Sequence, residues 1–237
     1  MVSFQSRHSP ENCINCEHRH LRVFCNLTPD ALQDYDKIGV LMSHARGTKL
    51  FTEGDPARNV FVVCSGQMKI SATSRDGKTM ILKIAGPGDV MGLSAVLADV
   101  PHEVTAEAIE PSQVKMVRKQ EFVDFLGRHG IASMHAAQSL SGEYLTVFHD
   151  AKRLALSGSA AGRLARLLLD WAHASAIGKP ELRFTMALTH QEVAEMAGTS
   201  RETVTRLLNQ FRRDHWITIK GASITIVNRG QLEHLIC

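Results

Sequence analysis

"LTHQEVAEMAGTSRETVTRLLNQFRRDHWITIKGASITIV", residues 188–227, carries the strongest local folding signals in the chain. Thr189 offers a hydroxyl to cap a helix, and Glu192 follows at the spacing of a capping box. Val193 and Met196 give that helix an apolar face, Ala194 is small enough for close helix approach, and Gly198 permits a sharp turn. Ser200 can cap a second helix, whose buried stripe would be Val204, Leu207, Leu208 and Phe211. Helices joined this tightly predict a helix-turn-helix. Beyond them "WITIKGASITIV" divides into short strands about Lys220-Gly221, the pattern of a wing.

The second helix opens with Ser200, Arg201, Glu202, Thr205 and Arg206 on its exposed side. In the major groove an arginine can pair bidentately with guanine O6 and N7, and a glutamate can accept from cytosine N4. Lys220 on the wing suits a phosphate. Double-stranded DNA is therefore the expected partner; the plainer alternative is a winged helical domain used only for packing.

Working outward, 237 residues with 44% hydrophobic content suffice for two globular domains. Net charge is only +3, but residues 152–237 hold 12 Lys and Arg against 7 Asp and Glu, whereas residues 1–151 hold 15 against 17. A basic C-terminal part fits attraction to a polyanion, although a solvated basic face gives the same count. The N-terminus has no apolar run for export, and no stretch of about 18 apolar residues occurs, so a soluble, cytoplasmic protein without membrane contact is expected. No GxSxG, HExxH or P-loop pattern is present, and the expectation is a non-enzyme.

Between residues 47 and 119, short runs rich in Val, Ile, Phe, Met and Thr alternate with turn signals such as Asp76-Gly77 and Gly86-Pro87-Gly88-Asp89. That pattern predicts an antiparallel β-roll or barrel, with a short helix over residues 92–99. From Lys119 to Leu156 the apolar spacing becomes helical. Ala137, Leu140, Tyr144, Val147, Ala151 and Leu154 step by threes and fours, as in a coiled-coil seam. A homodimer through Leu140, Tyr144, Val147 and Leu154 is expected; the alternative is a helix packed on its own domain. "SGSAAGRL", residues 157–164, reads as a hinge, and a further helix follows over residues 161–174. The expected organisation is an N-terminal arm (1–26), a roll (27–119), a dimerisation helix region (120–156) and a winged helix-turn-helix domain (157–237), an α+β fold.

With the β-roll, long helix and winged helix-turn-helix in this order, with "TSRETVTRLL" at the recognition helix and "GDVMG" in the roll, the chain resembles the CRP/FNR family of bacterial transcription regulators. The resemblance covers Leu27 to the end. It implies a cyclic-nucleotide-binding-like sensor roll, a homodimer, contacts from Arg201, Glu202 and Arg206 to a TGTGA-like half-site, and RNA polymerase as a partner. Cyclic-nucleotide receptors of this family use a glycine-glutamate pair and an arginine to hold the nucleotide. Here Gly92 is followed by Leu93, and Glu103 and Val104 stand near the arginine position. An acidic residue beside a phosphate is unfavourable, so cyclic AMP is not expected as the effector. Another small molecule in the roll is the alternative signal, and a ligand-binding module acting by protein contacts is the alternative function.

"CINCEHRHLRVFC", residues 13–25, places Cys13, Cys16 and Cys25 near His18 and His20. Five cysteines in a reducing compartment are poorly explained by disulfides. Oxygen-sensing members of the family bind a [4Fe-4S] cluster through N-terminal cysteines and one more in the roll, whose place here is taken by Lys115. Cys64 on a predicted strand, or an acidic or histidine residue, would have to complete the set. Zinc is the rival reading, with Cys13, Cys16, Cys25 and a histidine as ligands, and thiols without metal are the third. Cys237 is expected to be incidental. A redox or oxygen-type signal through a cysteine-bound centre is the expectation that follows.

Overall fold

The computed structural model describes residues 13–16, 19–156, 159–175 and 182–236, without the side chains of 21, 149–150, 153–156 and 174. His18, the Leu154 side chain, Cys237 and part of the 157–164 joint lie outside the described residues. The chain falls into two compact units divided between Val147 and Phe148.

The first unit opens with α1 (Pro29–Lys37), started by Pro29 in the first turn, where a missing N–H costs nothing. The roll follows as β1 (Val40–His44), β2 (Lys49–Phe51), β3 (Asn59–Ser65), β4 (Met68–Thr73), β5 (Thr79–Ala85), β6 (Val90–Met91), α2 (Leu93–Ala98), β7 (Thr105–Ala108) and β8 (Ser112–Arg118). They form two antiparallel sheets, ordered β1-β8-β3-β6 and β2-β7-β4-β5. The continuous apolar run of β3 is explained by burial on both faces. Val60 and Val62 face a core shared with α1 and the helices after the roll, while Phe61 and Val63 face the space between the sheets. In the first core Phe24 stacks on Phe122 at 5.6 Å, and Tyr35 lies 5.4 Å from Phe125.

The expected single helical region is two helices, α3 (Lys119–Arg128) and α4 (Gly130–Leu156). His129 breaks them with extended backbone, φ −124° and ψ 93°. Leu140 is half-buried against the unit's own core. Tyr144 and Val147 are 68% and 59% exposed, and Leu145 between them is exposed as well.

In the second unit α5 (Ala160–Ser175) precedes β9 (Arg183–Thr185), α6 (His190–Ala197), α7 (Arg201–Arg213), β10 (Ile217–Lys220), β11 (Ser223–Ile226) and α8 (Arg229–His234). The wing gains a third strand not expected from the sequence, because β9 pairs with β11 and places Phe184 opposite Ile224. One core gathers Leu164 and Leu168 from α5, Val193 from α6, Leu207, Leu208 and Phe211 from α7, and Ile217 and Ile224 from the wing.

Candidate DNA interface, thiol cluster and roll cavity

The helix-turn-helix is built by the caps the sequence announces. Thr189 accepts from the Glu192 N–H and the Glu192 carboxylate accepts from the Thr189 N–H, a reciprocal capping box. Gly198 ends α6 in the left-handed region at φ +59°, and Ser200 accepts the Thr203 N–H to start α7. Arg163 of α5, not singled out from the sequence, donates from Nε to the Ala197 carbonyl at 2.7 Å and from Nη2 to the Gly198 carbonyl at 3.2 Å. Its cation therefore sits on the negative end of α6 and fixes the turn.

Arg201, Glu202 and Arg206 are exposed along the start of α7, whose other face is buried. Hydrogen bonds from the backbone and from Ser200 hold the Glu202 carboxyl below its usual range, so it is an ionised acceptor. Thr205 is half-buried and engaged. Its hydroxyl donates to the Arg201 carbonyl at 3.0 Å and lies 2.9 Å from His190 Nδ1. Lys220 is exposed beside Gly221, whose φ of +59° makes the tight wing turn.

In the roll, Lys115 on β8 is only 6% exposed. Alternation along β8 sends Val114 between the sheets and turns Lys115 to the opposite face, toward α1. Its ammonium donates to the Tyr35 carbonyl at 2.8 Å and the Asp36 carbonyl at 3.3 Å, and reaches Cys13 Sγ at 3.6 Å. It also lies 4.6 Å from the centre of the Tyr35 ring. The Cys13 N–H donates to Asp36 Oδ1 at 2.6 Å, which ties the N-terminal cysteine loop to α1. Cys64 stands where the β3–β8 register slips, between the pairs Val63–Val114 and Ser65–Gln113.

The thiols sense one another. Burial pushes Cys13 up to about 11, with Lys115 pulling the other way and Cys64 adding to the rise. Burial pushes Cys25 up to about 12, reinforced by Cys64, while Arg22 lowers it and Cys13 and Cys16 raise it. Burial also raises Cys64, against Arg22 and Lys115. Cys64, one of the candidates to complete the set, thus shares a neighbourhood with the N-terminal three. Soft thiols are the right donors for iron–sulfur or zinc. As arranged, however, they do not fit either, because among the described residues no three cysteine, histidine or acidic groups stand close enough to hold a metal ion. The Lys115 ammonium against the Cys13 sulfur also opposes a cation there.

A cavity of about 480 Å³ opens beside the sheet containing β4 and β5, lined also by α2 and the end of the unit's share of α4. Gly92, Glu103 and Val104 line it as the sequence suggested. Leu93 does not. It is 1% exposed and packs into the core with Val60 and Val96, the natural place for an apolar side chain at the first turn of α2. Gly92 sits at φ +76°, and a Cβ there would meet His102 Cε1 at 3.0 Å. His102 is 3% exposed and stacks on Phe51 at 3.8 Å, with its Nδ1 unpartnered. Neither His102 nor Glu143 was singled out from the sequence; Glu143 reaches the cavity because the fold brings α4 over the roll.

Comparison with known proteins agrees with these features. Residues 41–129 match the cyclic nucleotide-binding domain, and residues 162–235 match the Crp-like helix-turn-helix domain. A "CRP-like cAMP-activated global transcriptional regulator" of Mycobacterium tuberculosis is 27% identical over 213 residues, covering 89% of this chain and 94% of that protein. A "Fumarate and nitrate reduction regulatory protein" of Vibrio cholerae is 26% identical over 228 residues, covering 94% and 90% respectively. In fold the chain is similar to FixK2 from Bradyrhizobium japonicum, with a TM-score of 0.74 at 22% identity over 84% of this chain and 98% of that one. The roll, the capped helix pair and the wing, each matched in its own segment, make the chain a DNA-binding transcription regulator of the CRP/FNR family.

Proposed function

We propose that the protein is a homodimeric regulator that reads TGTGA-like inverted repeats and responds to a redox signal through Cys13, Cys16, Cys25 and Cys64. The DNA reading is supported by Arg201, Glu202 and Arg206, which share the exposed start of a helix whose opposite face is buried. The dimer reading is supported by the exposed apolar side chains of α4 at Tyr144, Leu145 and Val147.

The observation that carries the redox reading is the Cys13 sulfur 3.6 Å from the buried Lys115 ammonium, with Cys25 and Cys64 in the same neighbourhood. Burial keeps Cys13, Cys25 and Cys64 protonated and therefore weak nucleophiles. Oxidation of two of them to a disulfide, releasing two protons and two electrons to a peroxide, would change how the Cys13 loop is tied to α1. Binding of RNA polymerase belongs to this proposal through the family alone.

The test is protein purified without oxygen and then exposed to peroxide, with operator affinity, iron, sulfide, zinc and disulfide content measured on each form. A change in affinity on oxidation, lost in the Cys13→Ser, Cys16→Ser, Cys25→Ser triple variant, supports the reading. Stoichiometric iron and sulfide would assign the centre as a cluster and zinc as a structural metal. Equal regulation by the triple variant overturns the cysteine reading.

A further inference from the structure

The roll cavity has walls unsuited to the ligand class its domain type suggests. Phe51, Ile70, Leu82, Met91 and Val104 present apolar surface. Among the described residues no arginine lines it, and the one cation that does, Lys83, is paired with Asp89 at 2.8 Å. Two carboxylates, Glu103 and Glu143, line it as well. Burial raises Glu143 above the usual carboxylate range, with Lys83 opposing the rise and Asp89 adding to it. Burial also lowers His102, outweighing the pull of Asp55, which leaves the imidazole uncharged at neutral pH.

A phosphate in this space would face two acidic side chains, a neutral ring and a lysine already neutralised. The loss of water contacts on entry would have no compensating charge. A molecule with an apolar body meets the opposite situation. It gains burial against Phe51, Met91 and Val104, and a hydroxyl or ammonium on it can be met by the Glu143 carboxyl. The volume is within the range of small-molecule sites.

We infer that the roll cavity binds a mainly apolar organic molecule without negative charge, with Glu143 receiving its polar group, and that cyclic nucleotides are excluded. This is a second input, independent of the cysteines. Glu143, Thr146 and Val147 place α4 in the cavity wall, so an occupant would bear directly on the helix that also carries the exposed Tyr144.

One scaffold in three charge states tests the inference on the full chain: uncharged 3-methylindole, cationic tryptamine and anionic indole-3-acetate, with cyclic AMP alongside. Calorimetry and saturation-transfer NMR are run up to several millimolar on the reduced wild type and on the triple cysteine variant. We expect 3-methylindole and tryptamine to bind at least tenfold more tightly than indole-3-acetate, with no binding of cyclic AMP, in both proteins. Val104→Trp, which fills the cavity, should abolish binding; should it fail to fold by circular dichroism, Leu82→Phe takes its place. Glu143→Gln should weaken tryptamine more than 3-methylindole. Failure of both non-anionic probes to bind, binding unchanged by filling, or anion or cyclic AMP binding as tight as the others would each overturn the inference.

Discussion

His190 Nδ1 and Thr205 Oγ1 lie 2.9 Å apart, joining the first turn of α6 to the exposed end of α7. Because the Thr205 hydroxyl already donates to the Arg201 carbonyl, its oxygen accepts from the imidazole N–H. A side chain placed by the sequence among the base readers thus also holds the two helices at a fixed angle. His190→Ala and Thr205→Val should each destabilise the second unit by about 1 kcal/mol, and the double variant by less than the sum. Denaturant melts of the four proteins measure that coupling, and strict additivity would remove the bond from the account.

Base reading and phosphate contact separate in their response to sequence. Arg206→Ala should lose about 1–3 kcal/mol of discrimination at one base pair of the half-site. Lys220→Ala should weaken operator and scrambled DNA alike and flatten the salt dependence. Fluorescence anisotropy over a salt series distinguishes the two outcomes.

Assembly is predicted to depend on the exposed side of α4. Tyr144→Asp with Val147→Asp puts charge into the surface proposed to pair, and sedimentation should then show a monomer with poor operator affinity. Leu140→Asp should act differently, lowering the melting temperature of the first unit itself, because Leu140 packs against that unit's own core. A double variant that stays dimeric would move the interface elsewhere.

The thiols give a pH dependence with a definite sign. Cys25 is raised from 9.0 to about 12 and Cys13 from 9.0 to about 11, so the folded state holds these protons more tightly than the unfolded chain does. Their stabilising contribution is complete below pH 9 and is lost as pH rises through the window up to 12. Cys25→Ala should melt with a shallower loss of stability than wild type across that window. Equal slopes would show that Cys25 is open to solvent.

The helix pair and its wing were legible because their signals are local: Thr189 with Glu192, Gly198, Ser200 and the stripe from Val204 to Phe211 lie within a few residues of what they cap or bury. The strand alternation of the roll was legible for the same reason. α1 went unread although Thr28-Pro29 begins it, and β9 was too short at three residues for any period to show. The break at His129 was hidden inside a proline-free run whose apolar spacing continues on both sides. Side chains meeting across long separations were the hardest. Lys115 reaches Tyr35 over 80 positions and Cys13 over 102, and only the pairing of β8 with β1 and β3 brings it there. Cys64 could be named as one candidate partner among others, but its neighbourhood with Cys25, 39 positions away, is a tertiary contact that no local pattern encodes.

Val147 lines the roll cavity and is at the same time 59% exposed on α4. With the proposed dimer and the inferred cavity ligand, one methyl-bearing side chain would belong to two binding equilibria, and mass action would tie them together. Whatever covers Val147 from outside changes the free energy of filling the cavity behind it, and the reverse holds by the same amount. Apparent affinity for a cavity ligand should then drift with the concentration of the protein itself. Titrations at micromolar and at hundred-micromolar chain would give different constants, and the ratio between them would measure, without any DNA present, how strongly the sensor and the assembly speak to each other.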